Sequence, residues 1–185
     1  MKEFWSARIR DAVPYIPGEQ PREGKFIKLN TNENPYPPSP KAVEAMHQAV
    51  NADLRLYPDP ECAALRDAAA KCWGVKPEQV FCGNGSDEIL AFCFQAFFDP
   101  GKEIVFPKIT YSFYPVYSDH FGLDRREVPM NPDFSDPVEE LCGNNGGVVL
   151  ANPNAPTGIA VGPDVVEKLL KAYPDVVVVV DEAPV

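Results

Sequence analysis

The stretch VFCGNGSDEILAF, residues 80–92, joins a short apolar run to a helical pattern through a glycine-rich turn. Glycines at this turn let the chain bend tightly and let a ligand approach the backbone closely. The helix then opens with Ser86, Asp87 and Glu88, and the unpaired backbone N–H groups at a helix start form a site for phosphate. The same pattern also fits a plain helix cap made by Ser86 or Asp87.

On either side of this turn, the sequence predicts strands and helices in alternation. The predicted strands cover residues 80–82, 103–106, 125–128, 148–151 and 176–180, and the predicted helices cover residues 89–98, 111–121, 137–141 and 164–172. This order is typical of an α/β fold with a mostly parallel sheet and helices on both faces. The last strand consists of five valines, which predicts a strand buried on both faces.

The first part of the chain is rich in proline, because nine of the 21 prolines lie before residue 61. We expect residues 1–40 to form an extended N-terminal arm and residues 41–185 to form the large domain. Ser39 followed by Pro40 predicts the start of a helix over residues 41–50. A second helix is predicted over residues 59–73.

The composition excludes several classes of function. A formal net charge of −10 argues against nucleic acid or an anionic membrane as a partner. No apolar run reaches the length of a membrane span, and the first residues lack the apolar core of a secretory signal, so we expect a cytoplasmic protein. Five cysteines without a CxxC pair, beside two histidines, predict neither a disulfide framework nor a metal site.

In parallel sheets, ligands bind beyond the carboxyl ends of the strands. Tyr111 follows the second strand and either lies flat on an aromatic ligand or packs in the core. The turn at residues 152–158 offers short polar side chains or is a plain turn. Asp181 follows the five valines, where it either pairs with a cationic ring nitrogen or caps a helix. Pyridoxal phosphate combines the phosphate, the flat ring, the ring oxygen and the basic nitrogen that these places suit.

Seven stretches carry a resemblance to a known family: VPYIPG, KLNTNENPYPPSP, LYPDP, VFCGNGSDE, ITYSFYP, ANPNAPTG and VVVVVDEA. In order and spacing, the chain resembles the N-terminal half of fold-type-I pyridoxal-phosphate aminotransferases of class I/II. LNTNENPYPPSP together with YPDP favours the histidinol-phosphate branch. The resemblance implies that the domain over residues 41–185 is a partial cofactor-binding domain, truncated before the Schiff-base lysine.

The resemblance also implies roles for single residues of the cofactor site. Gly85, Ser86 and Asp87 match the turn that holds the cofactor phosphate with backbone N–H groups. Tyr111 matches the tyrosine that stacks on the cofactor ring, and Asp181 matches the aspartate that pairs with the pyridine nitrogen. Because a carboxylate repels a phosphate, we expect the Asp87 side chain to point away from the phosphate and cap the helix.

Three further residues match positions that act between subunits or on the substrate. Tyr57 matches a tyrosine that reaches the cofactor phosphate of the neighbouring subunit, which implies a homodimer with shared active sites. Tyr15 and Asn32 lie on the arm that closes over the substrate in this family.

The chain departs from the family pattern in three respects. Ala155 stands where an asparagine contacts the ring oxygen, and Asn154, one residue earlier, is the candidate replacement. Pro184 stands where a tyrosine hydroxyl contacts the same oxygen. No lysine follows Asp181, so the chain contains no catalytic lysine of the family's kind, and the arginine that binds the substrate carboxylate is also missing.

The reaction that the resemblance implies is transamination of histidinol phosphate with 2-oxoglutarate and glutamate, a step of histidine biosynthesis. A related amino-acid aminotransferase and an amino-acid-phosphate decarboxylase are the nearest alternatives. An alternative of another class is a non-catalytic truncated fragment that binds the cofactor noncovalently at most. For the 185-residue chain by itself, we expect no turnover.

Overall fold

Four short strands form one sheet in the computed structural model, which describes residues 4–10, 19, 24, 26–30, 33–143 and 146–183. They are β1 (Ile104–Pro107), β2 (Arg125–Val128), β3 (Gly147–Ala151) and β4 (Val178–Asp181). The strand order is β2-β1-β3-β4, and every pairing is parallel. The parallel sheet that the alternating pattern predicts is therefore confirmed.

The helices that the structure describes occupy both sides of the predicted turn. They are α1 (Ala7–Arg10), α2 (Pro40–Ala49), α3 (Ala63–Trp73), α4 (Ser86–Phe97), α5 (Phe113–Phe121), α6 (Val138–Leu141) and α7 (Pro163–Ala172). Two short 3₁₀ turns lie at Ala52–Arg55 and Pro77–Gln79.

The chain folds into two compact units. One unit comprises residues 1–14 and 84–185 and contains the sheet with α4–α7. The other comprises residues 15–83 and contains α2 and α3. The sequence predicts a different division, into an arm over residues 1–40 and a domain over residues 41–185. That division stays a prediction.

The sheet is covered on both faces, as predicted, because neighbouring residues of a strand point to opposite sides. Ile104 and Phe106 of β1 belong to a buried cluster with residues of α4 and α5. Val105, between them, belongs to a second cluster with Leu141 of α6 and Leu169 of α7. The helices α4 and α5 thus pack on one face of the sheet, and α6 and α7 pack on the other.

In the unit of residues 15–83, one predicted helix start is confirmed and the other is wrong. Ser39 Oγ accepts a hydrogen bond from the Ala42 backbone N–H at 3.2 Å, and Pro40 takes the first helical position. The second helix begins at Ala63 and not at residue 59. The Asp59 carboxylate accepts hydrogen bonds from the backbone N–H groups of Glu61 and Ala63, so the preceding turn takes up these donors.

The predicted strand at residues 80–82 does not form. The Val80 backbone N–H donates to the Pro77 carbonyl at 3.1 Å and closes a 3₁₀ turn. A strand needs a neighbour for its backbone groups, and no strand of the described residues pairs with this segment. The prediction is wrong because an apolar run specifies no pairing partner.

Three of the five valines, residues 178–180, form a strand together with Asp181, so the strand begins two residues later than predicted, and the predicted burial on both faces is wrong. β4 (Val178–Asp181) is half-buried along its whole length. It pairs only with β3 and lies at the edge of the described sheet, so one side of its backbone has no strand beside it. An edge position leaves a strand more exposed than an interior one.

Two kinds of feature are absent from the residues that the structure describes. None of their helices is long and apolar enough to cross a lipid bilayer. They also contain no group of three or more histidine, cysteine, aspartate or glutamate side chains arranged to hold a metal ion.

A buried carboxylate precedes α6. Both carboxylate oxygens of Asp136 are buried and have no hydrogen-bond partner among the described residues. Burial raises the pKa of Asp136 to about 6, from an ordinary value of 3.8. The folded state therefore loses stability as this group ionises, since the unfolded chain ionises it in water at lower cost.

Replacement of Asp136 by asparagine is expected to raise the free energy of unfolding near neutral pH by about 1–3 kcal/mol. The stability penalty of the native carboxylate is absent below about pH 4, grows between about pH 4 and pH 6, and reaches its full size above about pH 6. The gain should therefore disappear below about pH 4. Urea unfolding at the two pH values measures the difference.

Asp133 in the same loop provides the control. Its exposed carboxylate accepts hydrogen bonds from the Ser135 backbone N–H at 3.1 Å and the Ser135 hydroxyl at 2.7 Å, which lower its pKa. Asp133→Asn should give no gain near neutral pH. An equal gain for Asp136→Asn at both pH values would contradict the buried-charge explanation.

Candidate functional site

The turn before α4 presents backbone donors to solvent. Gly85 is the N-cap residue, with φ +84° and ψ 167°, and no side chain caps the helix. A Cβ at this position would meet no atom within 4 Å. Within the described part of the chain, no acceptor takes the backbone N–H groups of residues 86–88. The start of α4 is thus an open anion site of the kind that binds phosphate.

The acidic residues of this helix start have other partners than the sequence predicts. The Glu88 carboxylate accepts a hydrogen bond from the Asn84 backbone N–H at 2.6 Å. The Asp87 carboxylate accepts one from the Tyr111 hydroxyl at 2.7 Å. The expectation that Asp87 caps α4 is therefore wrong. The tyrosine hydroxyl needs an acceptor where the ring is packed, and Asp87 is the one within reach.

Tyr111 lies in the loop between β1 and α5, two residues before the helix that the sequence predicts it to open. Its ring stacks on Phe113, with centroids 5.7 Å apart and planes inclined by 17°. Burial and the neighbouring Asp87 raise the pKa of Tyr111 above its ordinary value. Tyr111 thus remains a neutral donor, held between α4 and α5.

Asp181 is the last residue of β4 and is half-buried. Its Oδ2 accepts a hydrogen bond from the Tyr114 hydroxyl at 2.7 Å, and its Oδ1 accepts one from the Ala183 backbone N–H at 3.1 Å. No described lysine or arginine forms an ion pair with it. The carboxylate is therefore fixed by two neutral donors and retains lone pairs for a further donor.

Both asparagines of the turn after β3 bind backbone groups. Asn152 exchanges two hydrogen bonds with the backbone of Val161. The Asn154 Nδ2 donates to the Ile109 carbonyl at 2.9 Å and to the Thr157 hydroxyl at 3.1 Å, whereas its buried Oδ1 has no described partner. Because both N–H bonds of the Asn154 amide are taken, this side chain joins two loops and has no N–H left for a ligand.

The other predicted residues belong to the other compact unit or lie outside the described residues. Tyr57 is fully exposed and belongs to the unit of residues 15–83. Tyr15, Asn32 and Pro184 lie outside the described residues. Their roles stay predictions.

Two residues of the candidate site, Tyr114 and Tyr117, are not among the residues that the sequence predicts. Tyr114 binds Asp181, and the Tyr117 hydroxyl donates to the Asp87 backbone carbonyl at 3.0 Å. Together with Tyr111, which lies just before α5, they recur every third residue, and residues three apart lie on the same side of a helix. This spacing was the available signal. The rings of Tyr111 and Tyr114 are in edge contact, with centroids 5.6 Å apart.

Pyridoxal phosphate, the cofactor that the resemblance implies, fits two parts of this arrangement. The free N–H groups and the open space at Gly85 suit its phosphate. The fixed Asp181 carboxylate suits its protonated ring nitrogen. At neither position 154 nor position 155 is a side-chain donor free for the ring oxygen. Ala155 has no polar side chain, and both N–H bonds of the Asn154 amide are taken.

Replacement of Gly85 by alanine should weaken the binding of pyridoxal phosphate by about 10-fold. The backbone angles of Gly85 lie in a region that is open almost only to glycine and costs other residues about 1–3 kcal/mol. The substituted turn relaxes and redirects its N–H groups. A fluorescence titration with the cofactor measures the dissociation constant.

Gly122 is the matched control, because it also has positive φ (68°), ends α5 and has open space at its Cβ position. Gly122→Ala should lower stability by about 1–2 kcal/mol and leave the dissociation constant unchanged. Wild-type affinity in Gly85→Ala would show that this turn does not hold the phosphate.

Comparison with known proteins gives a consistent result. The sequence model of the family described as aminotransferase class I and II matches residues 24–183. The chain is 53% identical to the histidinol-phosphate aminotransferase of Pseudomonas syringae pv. syringae over 183 residues, which are 99% of the chain and 52% of that protein. It is 50% identical to that of Clostridium beijerinckii, again over 99% of the chain and 51% of the relative.

A solved structure agrees with these relatives. The histidinol-phosphate aminotransferase of Sinorhizobium meliloti, in complex with pyridoxal-5'-phosphate, superimposes with a TM-score of 0.75 at 28% identity. The match covers 83% of the chain and 43% of that structure. The chain thus spans about half the length of the curated relatives it matches. It belongs to the class I and II aminotransferase family.

Proposed function

We propose that this chain forms the N-terminal half of a pyridoxal-phosphate-dependent aminotransferase that exchanges the amino group between histidinol phosphate and 2-oxoglutarate in histidine biosynthesis. The observation that carries the proposal is the cluster of hydrogen bonds and ring contacts that joins the α4 helix start to Asp181 through Tyr111 and Tyr114. It combines donors for a phosphate with a fixed carboxylate for a ring nitrogen. The names of relatives at 50–53% identity support the substrate.

Pyridoxal phosphate, when bound, supplies an electron sink for the bond that breaks at the substrate α-carbon. The backbone N–H groups of Gly85, Ser86 and Asp87 are proposed to bind its phosphate. The ring of Tyr111 would cover one face of the bound cofactor, and the Asp181 carboxylate would hold a proton at the ring nitrogen. Asn154 joins the loops after β1 and β3 through its bond to the Ile109 carbonyl.

The proposal extends to assembly and location. Tyr57 is fully exposed, which leaves its hydroxyl available to the cofactor phosphate of a second subunit in a homodimer. Tyr15 and Asn32 are proposed to contact the substrate. The five cysteines are free, which fits the reducing cytoplasm, where disulfides are rare.

The chain by itself is expected to be inactive, and borohydride reduction with pyridoxal phosphate tests this. No lysine follows Asp181. Lys168 and Lys171 of α7 form ion pairs with Glu139 and Glu167. The intact mass should stay at 20.4 kDa, without a specific cofactor adduct.

A fusion of this chain to the remaining half of the Pseudomonas syringae relative tests the reaction. We expect the fusion to form glutamate from histidinol phosphate and 2-oxoglutarate. Preference for another amino acid, or release of carbon dioxide from an amino-acid phosphate, would select one of the alternative reactions. An inactive fusion beside an active Pseudomonas enzyme would contradict the proposal.

A second candidate, a non-catalytic chain that binds the cofactor noncovalently, is favoured by one observation. The described residues offer the cofactor ring oxygen no free side-chain amide, because the Asn154 donors are taken and residue 155 is alanine. A fusion that binds pyridoxal phosphate without turnover would support this candidate.

A further inference from the structure

Tyr114 is a wholly buried tyrosine whose hydroxyl reaches the last side chain of β4. It donates a hydrogen bond to Asp181 Oδ2 at 2.7 Å. Its ring is held by Phe94, with centroids 6.2 Å apart, and by Phe106, with centroids 5.7 Å apart. Packing on two sides leaves the hydroxyl little freedom to move away from Asp181.

The direction of this hydrogen bond follows from chemistry. An ionised carboxylate only accepts hydrogen bonds, so the tyrosine must donate. Burial and the Asp181 charge raise the pKa of Tyr114 far above its ordinary value. The hydroxyl therefore keeps its proton throughout the pH range in which the protein folds.

The Asp181 carboxylate receives its second donor from the other side. The Ala183 backbone N–H binds Oδ1 at 3.1 Å, while Tyr114 binds Oδ2. Two donors on different oxygens fix the plane of the carboxylate, and each oxygen retains one lone pair. A side chain at the end of an edge strand would otherwise rotate about its two side-chain bonds.

We infer that Tyr114 is a positioning residue, which fixes the Asp181 carboxylate in the orientation that receives the protonated ring nitrogen of pyridoxal phosphate. The inference rests on the proposed function and deepens it. Tyr114 acts through Asp181 and does not itself touch the cofactor. Its edge contact with Tyr111 also couples the two cofactor-facing residues through one aromatic group.

Four variants of the 185-residue chain test the inference: Tyr114→Phe, Asp181→Asn, their combination, and the control Tyr173→Phe. Tyr173 is also buried, and its hydroxyl donates to the Leu141 carbonyl on the other face of the sheet. The measurements are the dissociation constant for pyridoxal phosphate and the ¹⁵N chemical shift of the ring nitrogen in bound, ¹⁵N-labelled cofactor.

Tyr114→Phe should weaken binding by about 3- to 10-fold and move the ring-nitrogen signal toward the unprotonated form. The double variant should bind no more weakly than Asp181→Asn, because Tyr114 acts through the Asp181 charge, which Asp181→Asn has already removed. Tyr173→Phe should change neither quantity. If Tyr114→Phe binds the cofactor with the wild-type constant and shift, the inference is overturned.

The outcomes separate the inference from the proposed function. Absence of saturable cofactor binding in the wild-type chain would reject the proposed function itself. If Tyr114→Phe does not fold, 3-fluorotyrosine at position 114 keeps the shape and makes the hydroxyl a stronger donor. An unchanged ring-nitrogen shift in that protein would overturn the inference, and a changed shift would support it.

Discussion

Replacement of Phe94 by alanine is expected to destabilise the sheet-containing unit by about 3–5 kcal/mol. Phe94 of α4 is wholly buried, and its ring contacts Phe98, Tyr114 and Tyr117 at centroid distances of 5.3, 6.2 and 5.2 Å. The alanine leaves a cavity between α4, α5 and the sheet. Since domains are stable by about 5–15 kcal/mol, the loss removes a large part of the total. Urea unfolding followed by circular dichroism measures it.

Phe97 on the same helix is the matched control. Its side chain is 53% exposed, so Phe97→Ala removes the same atoms with much less loss of packing. We expect a cost below about 1 kcal/mol. Equal costs for the two variants would mean that α4 does not pack through Phe94 as described.

Replacement of Asp181 by asparagine is expected to weaken the binding of pyridoxal phosphate by about 10- to 100-fold. Asparagine keeps an oxygen that accepts the Tyr114 hydroxyl, so the fold around it is retained. It lacks the negative charge that stabilises a protonated ring nitrogen. A hydrogen bond to a charged group contributes about 1.5–3 kcal/mol, which gives this range of affinity. Cofactor fluorescence titration measures the change.

Asp175 provides the control for net charge. It is exposed, precedes β4 and lies at the opposite end of that strand from Asp181. Asp175→Asn removes the same charge and should leave the dissociation constant unchanged. A similar loss in both variants would indicate a general electrostatic effect and not a specific pair.

Much of the sheet is predictable because the signals for its strands are local. Strand β2 has the predicted bounds, β1 lies one residue later than predicted, and β3 begins one residue earlier. A helix between two consecutive strands provides the crossover connection that parallel pairing needs. By contrast, residues 80–82 carry the same apolar signal and form no strand, because pairing depends on a neighbour that the local sequence does not specify.

Those positions in the candidate site that follow from where a strand ends were predictable from the sequence. Asp181 ends β4 and Tyr111 follows β1, so the parallel sheet places both beyond the carboxyl ends of its strands. The hydrogen bonds that each of these two residues makes were not predictable in this way. Tyr114 of α5 donates a hydrogen bond to Asp181. Tyr111 donates one to the Asp87 carboxylate, which therefore does not cap α4. Both contacts depend on how α4 and α5 pack on the sheet.

A ¹H–¹⁵N NMR titration of the 185-residue chain with pyridoxal phosphate tests most directly whether the α4 helix start and Asp181 form one cofactor site. We predict saturable shifts of the backbone amide signals of residues 85–88, together with a shift of the Ala183 amide beside Asp181. Inorganic phosphate should shift only the first group. Saturable binding that leaves residues 85–88 unchanged, or no saturable binding at all, would contradict a cofactor site at this position.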